Sequence, residues 1–239
     1  MASTFSSDLK LEIVATGEKA GLWGTITNTN LQILEQSASG YQDIDMAGAS
    51  VTLLLSDGAT SNGKNFYLKL SGTLAGDRTL TMPSGAERVW IISDETVRGG
   101  SNRTLSVLTA SGTSQPVPPG ATLLCISDGT NTTTRIIEKG YATITDSNSP
   151  YAAVSGAQIF ANTTANPIEI DLPASPAVGD EITIIDTRGT FGSNNLTIDR
   201  NGQPINTGTS NLVLNTNGQS ITLVYVDATR GWAFKTNTA

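Results

Sequence analysis

The feature that most constrains this chain is a faint internal repeat, in which residues 78–131 are echoed by residues 168–232. In each copy an alternating strand runs into a proline, at Pro83 and at Pro173. Three further features recur in the same order. A strand ends in Asp, at Asp94 and at Asp186, and a Gly-Ser-Asn triplet follows, at 100–102 and at 192–194. A closing apolar strand with its turn comes last, at 125–129 and at 225–229. Internal repetition decides the architecture of a chain. Two similar β segments in tandem indicate a structural protein rather than an enzyme built around one pocket.

From residue 41 onward the hydrophobic pattern has the period of two that marks β-strands, and turn pairs such as Asp128-Gly129 separate the runs. The predicted strands lie at residues 66–70, 79–82, 103–107, 122–126, 134–137, 142–145, 158–161, 168–172, 181–185, 195–198, 212–214, 220–226 and 232–235. Short strands at regular spacing without helices between them predict a mainly β fold. We expect two tandem β-sandwich or jelly-roll-like modules, over residues 41–140 and 141–239.

Residues 1–40 break this pattern and predict an extended arm, with a candidate strand at Leu9–Val14, followed by a short helix that ends at Gly40. A 3-4-3-4 spacing that ends at Ser37 predicts a short a/d seam on one helix face. The predicted oligomerisation and attachment residues are Trp23, Ile26, Asn30, Ile33 and Leu34. An Asn at an a position is one way to set register among associating helices. A lone amphipathic helix docked on its own domain fits the same spacing equally well.

Charge and composition exclude several classes of partner. The chain has 14 basic residues with no basic run and a net charge of −7, so nucleic acid is not an expected partner. The apolar runs have strand length, far below the ~18 residues of a spanning helix, and no secretory leader is visible, so no membrane insertion is expected. Only 15% of residues are charged, which suits a protein that packs against copies of itself.

The absence of histidine excludes Ser-His and Cys-His catalysis and His-containing zinc sites. No phosphate-binding loop or dinucleotide fingerprint occurs, and no cofactor or metal is expected. Acidic pairs remain as glycosidase candidates, at Asp43/Asp45, Asp94/Glu95 and Asp180/Glu181. Turn carboxylates that accept backbone N–H bonds are the favoured interpretation. We therefore predict that the chain is not an enzyme.

Three other features have a binding and a structural interpretation. The turn at 128–131 offers oxygens to calcium, but a hydrogen-bonded turn is favoured. Tyr225 and Trp232 are candidate glycan contacts in the final hairpin, with core packing favoured. Cys125 lies in an apolar run without a cationic neighbour, which predicts a buried, unreactive thiol.

The stretch GEKAGLWGTITNTNL at 17–31, with 34–36 and Gly40-Tyr41, resembles the N-terminal region of virion fibre proteins from tailed bacteriophages, a type frequent in phages of cyanobacteria and other aquatic bacteria. The stretch from 79–83 onward is similar to the β module that follows it in those proteins. Later segments are similar to a further fibre module: 170–173, 194–198, 199–202 and 223–227.

The resemblance implies a structural virion protein, assembled in the host cytoplasm, usually homotrimeric and with its N-terminal end toward the particle. The expected partners are copies of itself, other virion proteins of the tail, portal or capsid, and a host surface glycan. We expect a tail or head fibre, or an adaptor that holds a longer fibre. The alternatives are a capsid decoration protein and a carbohydrate-binding or depolymerase module. A chain beginning at Tyr41 is expected to fold without the N-terminal segment.

Overall fold

The computed structural model describes residues 2–98 and 103–238 of the chain. The fold is mainly β, with 42% of residues in strands and 10% in helices, and its sheets are arranged as a β-solenoid. The mainly β prediction is therefore confirmed. The chain divides into two compact units, the first taking 2–96, Leu105–Val117 and Thr122–Ile137, and the second 97–98, 103–104, Pro118–Ala121 and 138–238.

The N-terminal segment consists of two short strands and one helix, β1 (Thr4–Phe5), β2 (Glu12–Ile13) and α1 (Trp23–Ser39). The strands that follow as far as residue 138 are β3 (Tyr41–Asp45), β4 (Val51–Thr52), β5 (Tyr67–Ser71), β6 (Thr73–Leu74), β7 (Arg78–Met82), β8 (Glu87–Asp94), β9 (Val97–Arg98), β10 (Leu105–Thr109), β11 (Gln115–Pro116), β12 (Thr122–Asp128) and β13 (Thr132–Glu138). The remaining strands are β14 (Tyr141–Ile144), β15 (Tyr151–Ala152), β16 (Gln158–Ala161), β17 (Ile168–Asp171), β18 (Glu181–Asp186), β19 (Leu196–Asp199), β20 (Leu212–Leu214), β21 (Ser220–Asp227) and β22 (Gly231–Thr238).

In the first unit the chain alternates between two sheets, and each passage adds one strand to each of them. One sheet has the order β13-β12-β8-β5-β3, and the other has the order β11-β10-β7-β4. The pairs β3–β5, β5–β8, β4–β7 and β7–β10 are parallel. Strands β12 and β11 then close their sheets as antiparallel partners of β8 and β10. Parallel neighbours need a crossover, which the opposite sheet provides here, as in the coils of a solenoid.

The second unit repeats this plan strand for strand. Its sheets have the orders β14-β16-β18-β21-β22 and β15-β17-β19-β20. The pairs β14–β16, β16–β18, β15–β17 and β17–β19 are parallel, and β21 and β20 are antiparallel to β18 and β19. Isoleucines of both sheets, among them Ile159, Ile170, Ile184 and Ile198, are fully or almost fully buried in one hydrophobic cluster.

The strand equivalence that the sequence repeat predicts is present in the structure. Pro83 directly follows β7, and Pro173 stands two residues after β17, which has the same place in its unit. Asp94 ends β8, and Asp186 ends the corresponding strand β18. The predicted Gly-Ser-Asn triplet at 192–194 follows β18, whereas its first copy at 100–102 lies outside the described residues.

The jelly-roll element of the prediction needs correction, because the first three strands of every large sheet are parallel. Alternating burial reveals which side chains face the core, but parallel and antiparallel ladders produce the same alternation. The repeat therefore predicted that equivalent strands exist and left the direction of their neighbours undetermined.

Candidate interaction surface

The N-terminal arm is held against the first unit and the helix by polar contacts. The Asn30 side chain bonds both backbone groups of Glu12, as its Oδ1 accepts from the N–H at 3.0 Å and its Nδ2 donates to the carbonyl at 2.9 Å. Lys19 pairs with the Glu12 carboxylate at 2.9 Å and is the main cause of that carboxyl's lowered pKa. Asp8 accepts a bond from the backbone N–H of Glu87 at 3.0 Å. The arm therefore forms one surface with α1.

Helix α1 is docked on its own unit along one face. Ile26 and Ile33 are buried, the latter completely. Gln36 accepts a bond from the Ser61 N–H at 3.3 Å, and Ser37 accepts one from Arg88 at 3.5 Å. These contacts support a helix docked on its own domain, one of the two interpretations of the sequence pattern.

The helix ends at Gly40, as predicted, although Gly40 does not adopt the left-handed conformation that is common at helix ends. Gly40 has an extended backbone, with φ −64° and ψ 137°, and its N–H donates to the Gln36 carbonyl at 2.9 Å. A side chain here would overlap that carbonyl oxygen and lie 2.6 Å from the Asn65 side-chain oxygen. Glycine is required by this close approach, so the chain turns directly from α1 into β3.

The structure divides the predicted seam instead of keeping it together. Ile26 and Ile33 face the unit, and Asn30 is occupied by the arm, whereas Trp23 and Leu34 are 56% and 42% exposed. The sequence prediction missed the similarly placed Leu31, which is 57% exposed. A second spacing of positions along the helix, 4-4-3-4 starting from Trp23, includes Leu31 and would have predicted its place on this face.

We call the set of outward residues at this second spacing the helix stripe: Trp23, Thr27, Leu31, Leu34 and Ala38. At 100° per residue these five positions lie within roughly one quarter of the helix circumference. Leu22 and Tyr41 flank the stripe along the chain and are 50% and 57% exposed. Seven of the seventeen exposed large hydrophobic residues in the described part of the chain lie in the first 41 positions. The exposed large hydrophobic residues are thus concentrated in the N-terminal segment.

The acidic candidates for catalysis are held in turns and ion pairs. Asp43 accepts from Ser71 at 2.5 Å and pairs with Lys69 at 2.9 Å, and these contacts lower its pKa. Asp180 accepts from the Ser155 hydroxyl at 2.6 Å and the Ala177 N–H at 2.9 Å. The other candidate carboxylates have comparable partners. Asp45 accepts a hydrogen bond from Ala47, and Asp94 accepts one from Thr96. Glu95 pairs with Lys69, and Glu181 pairs with Lys235 and Lys139.

Two further structural interpretations are confirmed. The carboxylate of Asp128 accepts the N–H groups of Thr130 and Asn131 at 2.8 and 2.7 Å, which closes a hairpin turn. Cys125 is fully buried, and burial raises the pKa of its thiol to about 12. Within residues 2–98 and 103–238, no group of three or more His, Cys, Asp or Glu residues could hold a metal ion.

The expectation of a glycan contact at Tyr225 and Trp232 is corrected, because a sugar needs an exposed ring face on which to stack. The two rings are 7% and 0% exposed and pack edge to face in the core, with their centroids 5.6 Å apart. The Tyr225 hydroxyl donates to the Gln203 side chain at 3.0 Å. Core packing, the favoured interpretation, accounts for both residues.

Comparisons with known proteins add little to this geometry. No family model and no curated protein matches the chain. Among solved structures, the chain is similar to one described as "Structure of a chaperone-substrate complex", at 13% identity and a TM-score of 0.35, over 82% of this chain and 32% of the other. That likeness is too low to bear on fold or function. No helix in the described residues is long and apolar enough to cross a membrane.

Proposed function

We propose that this chain is a structural protein of a tailed bacteriophage virion that positions and attaches rather than catalyses. It forms a homotrimeric tail or head fibre, or the adaptor of a longer fibre, and its N-terminal segment faces the particle. The observation that carries the proposal is the concentration of exposed apolar residues in the first 41 positions, where the sequence also has its most specific resemblance to phage fibres.

The two units are, in this proposal, copies of one two-sheet β-sandwich module. The shared strand order and the equivalent positions of Asp94 and Asp186 support this relation between the units. Two copies of one module favour a structural protein over an enzyme built around one pocket. The bonded acidic pairs and the lack of histidine agree with a role that does not require catalysis.

The location of the chain tests this function. Gold-labelled antibody against the full chain should bind purified virions of the phage that encodes it at one fixed place, on the tail, neck or head vertices. Label spread over the whole capsid would instead identify a decoration protein. Virions without label, together with saccharide release from host envelopes by the purified chain, would reject the proposal in favour of a depolymerase.

Attachment is best tested with point substitutions. A chain beginning at Tyr41, which is expected to fold, would also uncover the surface that Ile26 and Ile33 bury, so point substitutions separate attachment from folding more cleanly. Trp23→Ser changes an exposed residue and should reduce incorporation into particles while leaving the fold intact. Val178→Ser is the matched control, since Val178 is 77% exposed in the second unit. Equal incorporation of both variants would show that attachment lies outside α1.

A further inference from the structure

The helix stripe is an apolar surface on a helix that is already fixed in place. Ile26 and Ile33 pack against the unit, and Asn30 anchors the arm on the neighbouring face. A surface held in this way loses little conformational freedom when it is covered, which favours association. An amphipathic helix that only covers its own unit would carry polar or charged residues on its outer side. Here polar residues such as Asn28, Gln32 and Glu35 do lie opposite the docked face, but Trp23, Leu31 and Leu34 form an additional exposed apolar stripe between the two.

Charge indicates which partner fits the stripe. Of the 17 residues of α1, only Glu35 is charged, although the chain as a whole carries a net charge of −7. A basic partner drawn to the acidic charge of the chain would find no acidic residue in the stripe with which to pair. The same stripe on another copy is uncharged, so its approach is not opposed by the repulsion that the rest of the chain would exert.

Area and spacing point to the same partner. Trp23, Leu31 and Leu34 together expose an apolar area on the order of 300 Å², within the range of the largest apolar patch on a monomeric protein. A stable interface takes about 800 Å² from each partner, so these residues would form its centre and neighbouring Thr and Asn side chains its rim. The 4-4-3-4 spacing lies close to the helical period, so two stripes can stay aligned over their full length.

We propose that the helix stripe packs against the helix stripe of a second copy of this chain, and that Leu31 and Leu34 form the centre of this contact. This inference rests on the proposed homo-oligomeric appendage and names the surface that joins its copies. It differs from the seam predicted from sequence, since Ile26, Asn30 and Ile33 are engaged within one chain.

The oligomeric state of the full chain tests the proposal. We expect light scattering during size exclusion to give the mass of an oligomer, at least twice the mass of one chain. Leu31→Asp with Leu34→Asp should weaken association about a hundredfold, because each copy would bury unpaired carboxylates. Leu31→Met with Leu34→Met should preserve it. Val178→Asp places a carboxylate on the second unit and should leave the mass unchanged.

Cross-linking then locates the contact. In a Thr27→Cys variant the thiols of two copies would meet across the stripe and form a disulfide under mild oxidation, whereas Asn28→Cys points about 100° away and should not. The buried Cys125 thiol does not compete. A monomeric wild-type chain, or an oligomer that survives both Asp substitutions, would overturn the inference. Virion labelling is independent of these results, so a labelled particle with a monomeric chain would reject only this contact.

Discussion

The two units share one strand plan, yet one row of outward side chains differs between their five-stranded sheets. In the first unit the paired positions Tyr41, Tyr67, Ile91 and Leu124 form an apolar row across four strands. The tyrosine rings stack at 5.6 Å, and Tyr41 is 57% exposed.

In the second unit the equivalent row is Tyr141, Gln158, Thr183 and Thr222, which is polar after its first member. The two threonine hydroxyls are hydrogen-bonded at 3.0 Å. The inward rows of both units remain apolar. The fold therefore constrains the inner face of each sheet, whereas this outer row is free to differ between the units.

The largest expected difference between the units lies at their final hairpins. Gly129 and Gly231 both have positive φ, +87° and +69°. An added Cβ at Gly129 would find its nearest atom at 3.5 Å, whereas one at Gly231 would overlap the Pro204 carbonyl, to which Trp232 N–H donates at 2.8 Å. We expect Gly231→Ala to lower the free energy of unfolding by more than about 3 kcal/mol and Gly129→Ala by about 1 kcal/mol.

Urea unfolding, with hydrogen exchange to assign the affected unit, measures this difference. Gly202→Ala is a control inside the second unit, because its φ is +88° and no atom lies within 4 Å of the added Cβ. Its loss in the free energy of unfolding should equal that of Gly129→Ala. Equal losses at Gly129 and Gly231 would show that positive φ alone determines the cost.

The second difference concerns the aspartates that end β8 and β18. Asp186 accepts four backbone N–H groups, two on each oxygen, from Arg188, Gly189, Phe191 and Gly218. In Asp186→Asn the side-chain NH₂ would face two of these donors. We expect this substitution to lower the free energy of unfolding by about 2–3 kcal/mol.

Asp94 is the matched position in the first unit. Its Oδ1 accepts both the N–H and the hydroxyl of Thr96, at 3.1 and 2.6 Å. An asparagine can keep both of these bonds with its own Oδ1, so the bonds to Thr96 should survive in Asp94→Asn.

The loss at Asp186 should also depend on pH. Burial alone would raise the pKa of this carboxyl, but the four backbone N–H bonds outweigh it and the pKa is lowered. Stability from a carboxyl with a lowered pKa is present above the unfolded value near 4 and is lost as the pH falls through the folded value. The stability difference between the wild type and Asp186→Asn should therefore shrink as the pH falls below 4. A constant difference from pH 7 to pH 3 would contradict the charge-based explanation.

Sequence alone predicted the repeat, most strands and the helix, because each depends on local patterning. Strands Gln158–Ala161 and Leu212–Leu214 match their predicted bounds, and α1 ends at Gly40 as expected. Short elements such as Val51–Thr52 and Tyr151–Ala152 were missed. Two residues are too few to establish an alternating pattern, and these strands are held by their parallel partners β7 and β17, which are distant in sequence.

The candidate surface was only half predictable. The seam spacing identified α1 as the amphipathic element, but two apolar spacings overlap on this helix. Which of them faces the unit depends on Ile33, which is fully buried, and on the arm that occupies Asn30. Both are tertiary contacts that no local pattern contains. The exposed position of Leu31 follows from them.

The third difference is a buried lysine in the first unit. Lys64 is fully buried, and its ammonium donates to the carbonyls of Ser56 and Ala59, both at 2.6 Å. Burial, with the nearby charge of Arg88, lowers its pKa to about 8 from 10.5. Between these values the unfolded chain binds a proton that the folded chain has lost. The contribution of Lys64 to the free energy of unfolding should therefore rise with pH from about 8 to 10.5, with a slope of up to about 1.4 kcal/mol per pH unit.

Lys64→Met isolates this effect as a difference between two stability curves, because every other titratable group is common to both proteins. The wild type should gain about 2 kcal/mol relative to the variant across the window, after allowance for relaxation around the buried group. Lys69→Met is the control, because its pairing with Asp43 raises the Lys69 pKa and gives no rise in this range. A flat difference curve for Lys64→Met would mean that the ammonium keeps its proton in the folded chain.

The smallest expected effect comes from exchanging the outer rows themselves. Ile91→Thr with Leu124→Thr places the threonine pair of the second unit on the first, and Thr183→Ile with Thr222→Leu makes the reverse change. Each double variant should shift the free energy of unfolding by less than about 1 kcal/mol, because half-buried side chains lose little area and a paired hydroxyl bond offsets part of the loss. Urea unfolding at low protein concentration measures both. A loss above about 2 kcal/mol in the first double variant alone would show that its row is covered in the folded protein, and the outer face of that sheet would then belong to the interface between copies.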